Sequence, residues 1–219
     1  MTTTVLYSSN DTFIRTGLTA NQDASADMHI GEINNAVNTY RSLVKFDLSS
    51  IPSSAIVSFA TLSLYCITDY SSNGRTFRIY RTKRTIVYNQ CTWYIYSTGN
   101  NWQNEGGFGA DDCEQTDIGS RSMSATETLN VYKDFTLTPE KVQEMISGTF
   151  ANNGFFCKAD TEENDMYSFN TRDAASNKPK LTIEYTLGPA GVKTINSVAN
   201  WKSINGVLKG NVKSINGIS

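Results

Sequence analysis

The side chains of this sequence best suited to binding chemistry lie between positions 88 and 117, where aromatic residues alternate with amides, glycines and carboxylates. Sugar recognition needs flat aromatic faces that stack on the ring, together with planar amides or carboxylates that hydrogen-bond its hydroxyl groups. Residues 88–117 offer both kinds of group. Two interpretations stay open, aromatic packing in the core or a carbohydrate platform, and the platform would use Tyr94, Tyr96 and Trp102.

Catalytic groups are scarce in comparison. Glycoside hydrolysis needs two carboxyl groups that face each other across a cleft, whereas Glu105, Asp111 and Asp112 form only a cluster of charge. The single histidine, His29, lies in a polar stretch and is not expected to complete a Ser-His-Asp set. We therefore expect a protein that is not an enzyme and carries no cofactor.

Four acidic residues near the N-terminus raise the alternative of a bound ion. Hard cations take several carboxylate and carbonyl oxygens, so these residues could hold a structural calcium, although solvated loop acids are the simpler interpretation. The residues are Asp11, Asp23, Asp27 and Glu32.

The four cysteines have no CxxC spacing. Cys66 extends an apolar face and is predicted to be a buried free thiol. Cys91 and Cys113 flank one long loop and could bridge it, so the pairing of the four cysteines, Cys157 included, stays open.

The elements that must position these groups are strands. Val44, Phe46 and Leu48 alternate with polar residues, and so do Ala60, Leu62 and Leu64. A period of two places each apolar set on one face of a sheet. With a turn around Pro52, residues 41–65 predict a central hairpin in a half-buried antiparallel sheet.

One helix is predicted at residues 138–146. Thr138 suits the N-cap and Pro139 the first helical position, and Gly148 can end the helix. Strands are also expected at residues 4–15, 153–159, 166–171 and 180–186.

Residues 41–65 and several further segments resemble DNRLRE-type domains, which are β-sandwich modules of secreted and surface proteins. The shared segments, in order, are DTFIR at 11–15, CTW at 91–93, Trp102 with Gly106-Gly107, NGF at 153–155, SFNTR at 168–172 and KPKLTIEY at 178–185. The resemblance covers about residues 4–186 and implies a jelly-roll-like antiparallel β-sandwich. It also implies either carbohydrate binding or a place in an envelope or virion, and it carries no catalytic residues.

Composition narrows the class of protein. Charged residues make up only 18% of the chain, the net charge is −2, and tyrosine and phenylalanine together number 21. This composition is typical of an all-β exterior protein and argues against a nucleic-acid partner, which would require a basic face. No apolar run approaches the roughly 18 residues of a membrane span.

The C-terminal part is distinct. After a linker at 187–191, residues 192–219 contain three related units, KTINSV, KSINGV and KSINGI, and carry four lysines and no acid. Asn-Gly between β-branched residues is a strong hairpin signal, so this tail predicts a small β-meander. The units are similar to short repeats that end many phage structural proteins. We expect Ile195, Trp201, Ile204 and Ile215 to dock a partner or a second copy.

These observations predict a β-sandwich over residues 1–186 with one short helix, joined to a docking tail. The sequence starts without the basic and apolar segments of a signal peptide, which favours a phage virion or tail-associated component, a homo-oligomer that contacts other virion proteins through its tail and binds host surface polysaccharide. The alternatives are a secreted carbohydrate-binding module, or a subunit of an extracellular filament assembled by strand addition.

Overall fold

The structure is a computed structural model that describes residues 1–33, 37–71 and 74–187, together with the backbone of two short strands at 203–204 and 207–208. The chain divides into two compact units, Met1–Thr186 and Leu187–Ser219. The first unit contains the sheet, the helix and the aromatic stretch.

Antiparallel strands dominate the first unit. They are β1 (Thr2–Arg15), β2 (Asp27–Ile33), β3 (Asn38–Phe46), β4 (Ala55–Asp69), β5 (Arg75–Arg81), β6 (Ile95–Ser97), β7 (Asn100–Asn101), β8 (Gly119–Met123), β9 (Val131–Leu137), β10 (Phe155–Ala159), β11 (Tyr167–Asn170) and β12 (Lys180–Leu187). The strands predicted at 4–15, 153–159, 166–171 and 180–186 are all present as β1, β10, β11 and β12.

Strand pairing closes the main sheet. The order β4-β11-β2-β3-β10-β5-β8-β9 returns to its start because β9 pairs with β4, which makes a barrel of eight strands. Strand β1 pairs with β3 and β12, and β12 adjoins β4. The prediction of an all-β fold with one short helix is confirmed for the described residues, but their pairings form this barrel and not a clear jelly-roll sandwich.

The central hairpin predicted at 41–65 is wrong in its pairing. Both strands exist as β3 and β4, yet β3 pairs with β1, β2 and β10, whereas β4 pairs with β9, β11 and β12. Val44 and Leu64 belong to the same core, so the two apolar faces meet across the interior. Periodicity identified the buried faces correctly, but it does not specify which strand lies alongside which.

The core inside the barrel, here called the inner core, consists mainly of aliphatic, methionine and phenylalanine side chains, with Tyr40, Tyr167 and Tyr185 among them. Leu62, Leu64, Phe77 and Phe135 are fully buried there. This arrangement follows from alternation, since inward positions along each strand are apolar.

The predicted helix is confirmed as α1 (Pro139–Ser147), with Thr138 at the N-cap and Gly148 in the left-handed conformation at the C-cap. Its buried side chains, Val142, Met145 and Ile146, join the inner core. No helix among the described residues is long and apolar enough to cross a membrane.

All four cysteines are buried and free. The predicted state of Cys66 is therefore confirmed, and the alternative of a Cys91–Cys113 bridge is not realised. Cys66 and Cys157 lie in the inner core, whereas Cys91 and Cys113 lie in the aromatic region described below.

In the second unit, β13 (Ser203–Ile204) pairs antiparallel with β14 (Val207–Leu208). In this register Ile204 is the partner of Val207 and Ser203 is the partner of Leu208. The rest of the predicted meander, with Ile195, Trp201 and Ile215, lies outside the described residues.

Candidate functional site

The aromatic stretch lies in a long connection between β5 and β8, residues 82–118, here called the covering loop. The buried residues of this loop pack against outward-facing side chains of β1, β3, β5 and β10, and together they form a second core. Leu43, Tyr80 and Phe156 make a continuous row across β3, β10 and β5, because Phe156 pairs with both of the others. The full second core is Ile14, Leu43, Tyr80, Ile86, Tyr88, Cys91, Trp93, Trp102, Cys113 and Phe156.

Trp102, predicted as a sugar-stacking residue, lies inside the second core with only 5% of its surface exposed. Its indole nitrogen donates a hydrogen bond of 2.9 Å to the Thr92 carbonyl. A buried ring has no face to offer a ligand, so the position of Trp102 fits aromatic packing, which was the other interpretation of the stretch.

Tyr94 and Tyr96 are half-buried at the edge of the same loop. The ring of Tyr96 lies 5.6 Å from that of Trp102, and the Arg84 guanidinium lies 5.3 Å from the Tyr96 ring centre. Of the three predicted platform residues, these two tyrosines reach the surface, and their role in sugar binding stays a prediction.

The acidic cluster of the covering loop has a structural task. The Asp112 carboxylate is fully buried and accepts hydrogen bonds from the backbone amides of Gln103, Asn104 and Gly109. It also lies 3.1 Å from Nε of Arg84. Because buried backbone amides require partners, Asp112 allows the irregular loop to lie against the sheet.

A pocket of about 450 Å³ opens where the covering loop meets β1 and β3. Most of the side chains around it are polar. The lining residues are Asn10, Asp23, Lys45, Ile86, Val87, Tyr88, Asn89 and Arg172.

Local backbone features position the residues that line the pocket. The pairing of β1 with β3 shifts register between Ser8 and Asn10, and such a bulge redirects the side chains around it. On the opposite side, the Asn21 amide donates hydrogen bonds to the carbonyls of Tyr88 and Cys91, at 2.6 and 2.8 Å. The amide of Val87 also donates to the Tyr96 carbonyl at 3.0 Å, so the pocket adjoins the tyrosine edge.

Arg172 is the central charge of the pocket. Its Nη2 atom lies 2.9 Å from the Asp23 carboxylate, and its Nη1 atom donates to the Ser9 carbonyl at 3.2 Å. Its backbone amide donates to Oδ2 of Asp11 at 2.9 Å. The side chain of Arg172 is 29% exposed, so a ligand in the pocket can reach it.

Asp11 lies beneath this arginine and is fully buried. Its Oδ2 atom also accepts a hydrogen bond from the Ser8 hydroxyl at 2.8 Å, whereas Oδ1 lies 4.0 Å from Nε of Arg172. Burial raises the pKa of Asp11 to about 6, although the hydrogen bonds from Ser8 and Arg172 and the arginine charge oppose this shift.

Three buried polar atoms around the pocket have no hydrogen-bond partner in the protein: Asp11 Oδ1, Asp23 Oδ1 and Arg172 Nε. Buried polar groups are normally satisfied, and an unsatisfied one costs free energy. Two of these atoms are nevertheless paired by charge, because Nε of Arg172 lies 4.0 Å from Oδ1 of Asp11 and 3.5 Å from the Asp173 carboxylate. The three atoms therefore belong to a charge network beneath the pocket, and Arg172 and Asp23 are the members of it that line the pocket.

The alternative of a cation site would need the four acidic residues near the N-terminus to converge on one point. Asp11 and Asp23 converge on Arg172, whereas Asp27 accepts a hydrogen bond from Ser25, and Glu32 accepts one from the Asn164 amide. In the part of the chain that the structure describes, no group of three or more His, Cys, Asp or Glu residues could hold a metal. An arginine lies where a cation would have to sit between Asp11 and Asp23.

Sequence analysis did not identify this pocket. Asp11 and Arg172 belong to two segments quoted above for their resemblance, 11–15 and 168–172; Asp11 was considered only as a cation ligand, and Arg172 was assigned no role. They are 161 positions apart. Both segments are part of the same family resemblance, and this was the one feature of the sequence that linked them. Only the fold shows that the two segments are in contact.

Comparison with known proteins gives one family. A family model described as the disaggregatase related repeat domain matches residues 18–183, which is more than half of the chain and includes most of the barrel, the covering loop and Arg172. No curated protein matches the sequence. The resemblance to DNRLRE-type domains stays a prediction.

Proposed function

The chain belongs to the disaggregatase related repeat domain family, and we propose that it is a non-enzymatic adhesion module that holds a carbohydrate in the Arg172 pocket. The observation that carries this proposal is the pocket itself, whose lining places the partly exposed Arg172 among amide, ammonium and carboxylate side chains. Sugar hydroxyl groups can both donate hydrogen bonds to such side chains and accept them.

The lining of the pocket supports the same ligand class. Asn10, Asn89 and Lys45 add amide and ammonium groups around the Asp23–Arg172 pair. The backbone of Tyr96 adjoins the pocket through the hydrogen bond from the Val87 amide, and we propose that the rings of Tyr94 and Tyr96 extend the binding surface from there. Planar polar groups next to half-exposed aromatic rings are the combination that carbohydrate recognition uses.

The polar groups of the pocket favour binding over catalysis. Asp23 is paired with Arg172, and Asp11 is sealed beneath it. A glycosidase would need two carboxyl groups that both reach the substrate. We therefore propose retention of a glycan without its cleavage.

The wider proposal follows the predicted context. The barrel strands act as the two layers of a jelly-roll-like sandwich, one layer carrying the covering loop and the pocket. The protein serves in a virion or outside the cell, bound to a host or matrix polysaccharide. Its tail contacts other virion or filament proteins, and the protein is a homo-oligomer.

Retention on a panel of immobilised polysaccharides tests the proposal, with the full chain and two pocket variants. Lys45→Ala and Asn89→Ala each remove one polar contact, and we expect binding to weaken by about threefold to tenfold for each. Lys178→Ala is the matched control, because this lysine does not line the pocket, and it should bind like the wild type.

Two results would overturn the proposal. One is retention that both pocket variants leave at the wild-type level, and the other is the absence of retention on every polysaccharide tested. The size of the bound polysaccharide is measured after long incubation, and shortened chains would contradict the non-enzymatic part.

A further inference from the structure

The two sides of the barrel differ in what covers them. The outward side of β3, β10 and β5 is buried by the covering loop. On the outward side of β1, β12, β4 and β9, Val5, Tyr7 and Phe59 are 47%, 61% and 40% exposed. Exposed apolar side chains on the same side of neighbouring strands make this side of the sheet a candidate interaction surface.

We call this surface the tyrosine face. Its three tyrosines lie close together, since the rings of Tyr65 and Tyr132 are 5.1 Å apart and the Tyr7 hydroxyl contributes to raising the pKa of Tyr132, after burial. The Lys180 ammonium lies 4.1 Å from the centre of the Tyr132 ring. The tyrosine face comprises Val5, Tyr7, Phe59, Tyr65, Tyr132, Lys180, Thr182 and Glu184.

Strand β12 gives this face a symmetric pattern of charge. Leu181, Ile183 and Tyr185 point into the inner core, so the alternate residues Lys180, Thr182 and Glu184 point outward. The middle position, Thr182, lies opposite Val5 of β1, and Lys180 lies opposite Tyr7. A lysine and a glutamate are thus equally spaced on either side of a small central residue.

This spacing is complementary to itself. A two-fold axis through Thr182 would place Lys180 of one chain against Glu184 of another, and the reverse pair would form on the other side of the axis. The described residues give Lys180 a contact with an aromatic ring and give Glu184 no ion pair. Complementary charges at an interface fix its register.

We propose that the tyrosine face is the interface between two copies of this chain, related by a two-fold axis near Thr182. Val5 lies at the axis and Tyr7 on each flank, so that their exposed apolar surface is removed from water. The two Lys180–Glu184 pairs select the antiparallel arrangement of the two β12 strands. The interface lies on a different surface from the glycan pocket and is independent of the function proposed above.

Charge reversal tests this interface on the full chain. The mass in solution is measured over a range of concentrations for the wild type, for Lys180→Glu, for Glu184→Lys and for the double exchange. We expect a wild-type dimer and, for each single variant, a dissociation constant raised at least about tenfold by like charges on both sides of the axis. The double exchange should restore the dimer.

The double exchange separates this proposal from simpler effects. Lys180→Glu also removes the contact with Tyr132, which the second substitution cannot replace, so recovery would report the pairing between chains alone. Lys178→Glu is the control and should leave the mass unchanged. A wild-type monomer at every concentration, or an oligomer whose mass neither single variant changes, would overturn the proposal; the second result is expected if the tail holds the copies together.

Discussion

The inner core and the second core bury aromatic side chains in different ways. In the inner core, regular strands present apolar side chains on one face, and the sheet satisfies its own backbone hydrogen bonds. In the second core, an irregular loop covers the sheet, and its tryptophan and tyrosine side chains bond to backbone carbonyls, Trp102 to Thr92 and Tyr88 to Asn153. The polar atoms of these large rings therefore satisfy backbone carbonyls of an irregular segment, which allows the segment to be buried.

This difference locates the candidate site. In the inner core, the alternation of side chains keeps polar groups off the inward face, so few polar side chains are available there to bind a ligand. The margin of the second core brings together a bulge in β1, a loop and the end of β11. Side chains from such unrelated segments can converge on one ligand, which a regular sheet face cannot arrange as freely.

The largest expected effect is in the inner core. Leu64 is fully buried on β4, between strands that cannot collapse around a cavity without opening the barrel. Leu64→Ala should lower the free energy of unfolding by about 4 kcal/mol, toward the upper end of the range for such changes. Chemical denaturation measures it, and probes in both cores should shift together; a loss below about 1 kcal/mol would contradict the central place of β4.

A smaller effect is expected in the second core. Trp102→Ala removes a larger side chain, but the covering loop can partly relax into the space, so we expect a loss of about 2–3 kcal/mol. Hydrogen exchange should show faster exchange in residues 82–118 than in β4. If β4 loses protection to the same extent, the two cores unfold as one unit, whereas an unchanged stability together with lost glycan retention would return Trp102 to the ligand platform.

The third effect concerns pH. The raised pKa of Asp11, about 6 against 3.8, means that the folded protein holds this proton more tightly than the unfolded chain. Its stabilising contribution is complete below pH 3.8 and is lost as pH rises through 6. The change is at most roughly 3 kcal/mol between pH 4 and 7.

Asp11→Asn should flatten that part of the stability profile, as measured by denaturation at a series of pH values. Asp165 offers the comparison from another part of the barrel, since burial also raises its pKa to about 6. Asp165→Asn should remove a second, similar part of the slope. A profile that Asp11→Asn leaves unchanged would show that Asp11 is not a buried, proton-holding group.

Local patterns predicted much of the fold. The helix at 139–147 followed from its capping residues, and the buried faces of β3 and β4 followed from alternation, because these signals act within a few residues. The pairing of β3 with β4 failed because it depends on contacts between distant segments. Leu43 shows the same limit, since it lies on the outward side of β3 and is buried only because the covering loop reaches it.

The candidate site was less accessible to sequence reasoning. Tyr94, Tyr96 and Trp102 were chosen as flat rings near polar groups, but composition cannot tell which ring faces inward, and Trp102 does. Asp11 and Asp23 were identified as acids that could share a cation, while Arg172, the cation that they contact, lies some 150 residues later. Charges that meet through tertiary structure leave no local pattern.

Because its four cysteines are free thiols, the fold does not depend on disulfide bonds. Each core contains two thiols and no disulfide, so an oxidising or a reducing medium leaves the folded chain covalently the same. Burial raises the pKa of Cys66 to about 11 and that of Cys113 to about 12, which keeps these thiols protonated and unreactive. The rate at which a thiol reagent modifies each cysteine therefore measures the opening of the core around it. Modification of Cys113 reports the opening of the covering loop, and modification of Cys66 reports the opening of the barrel.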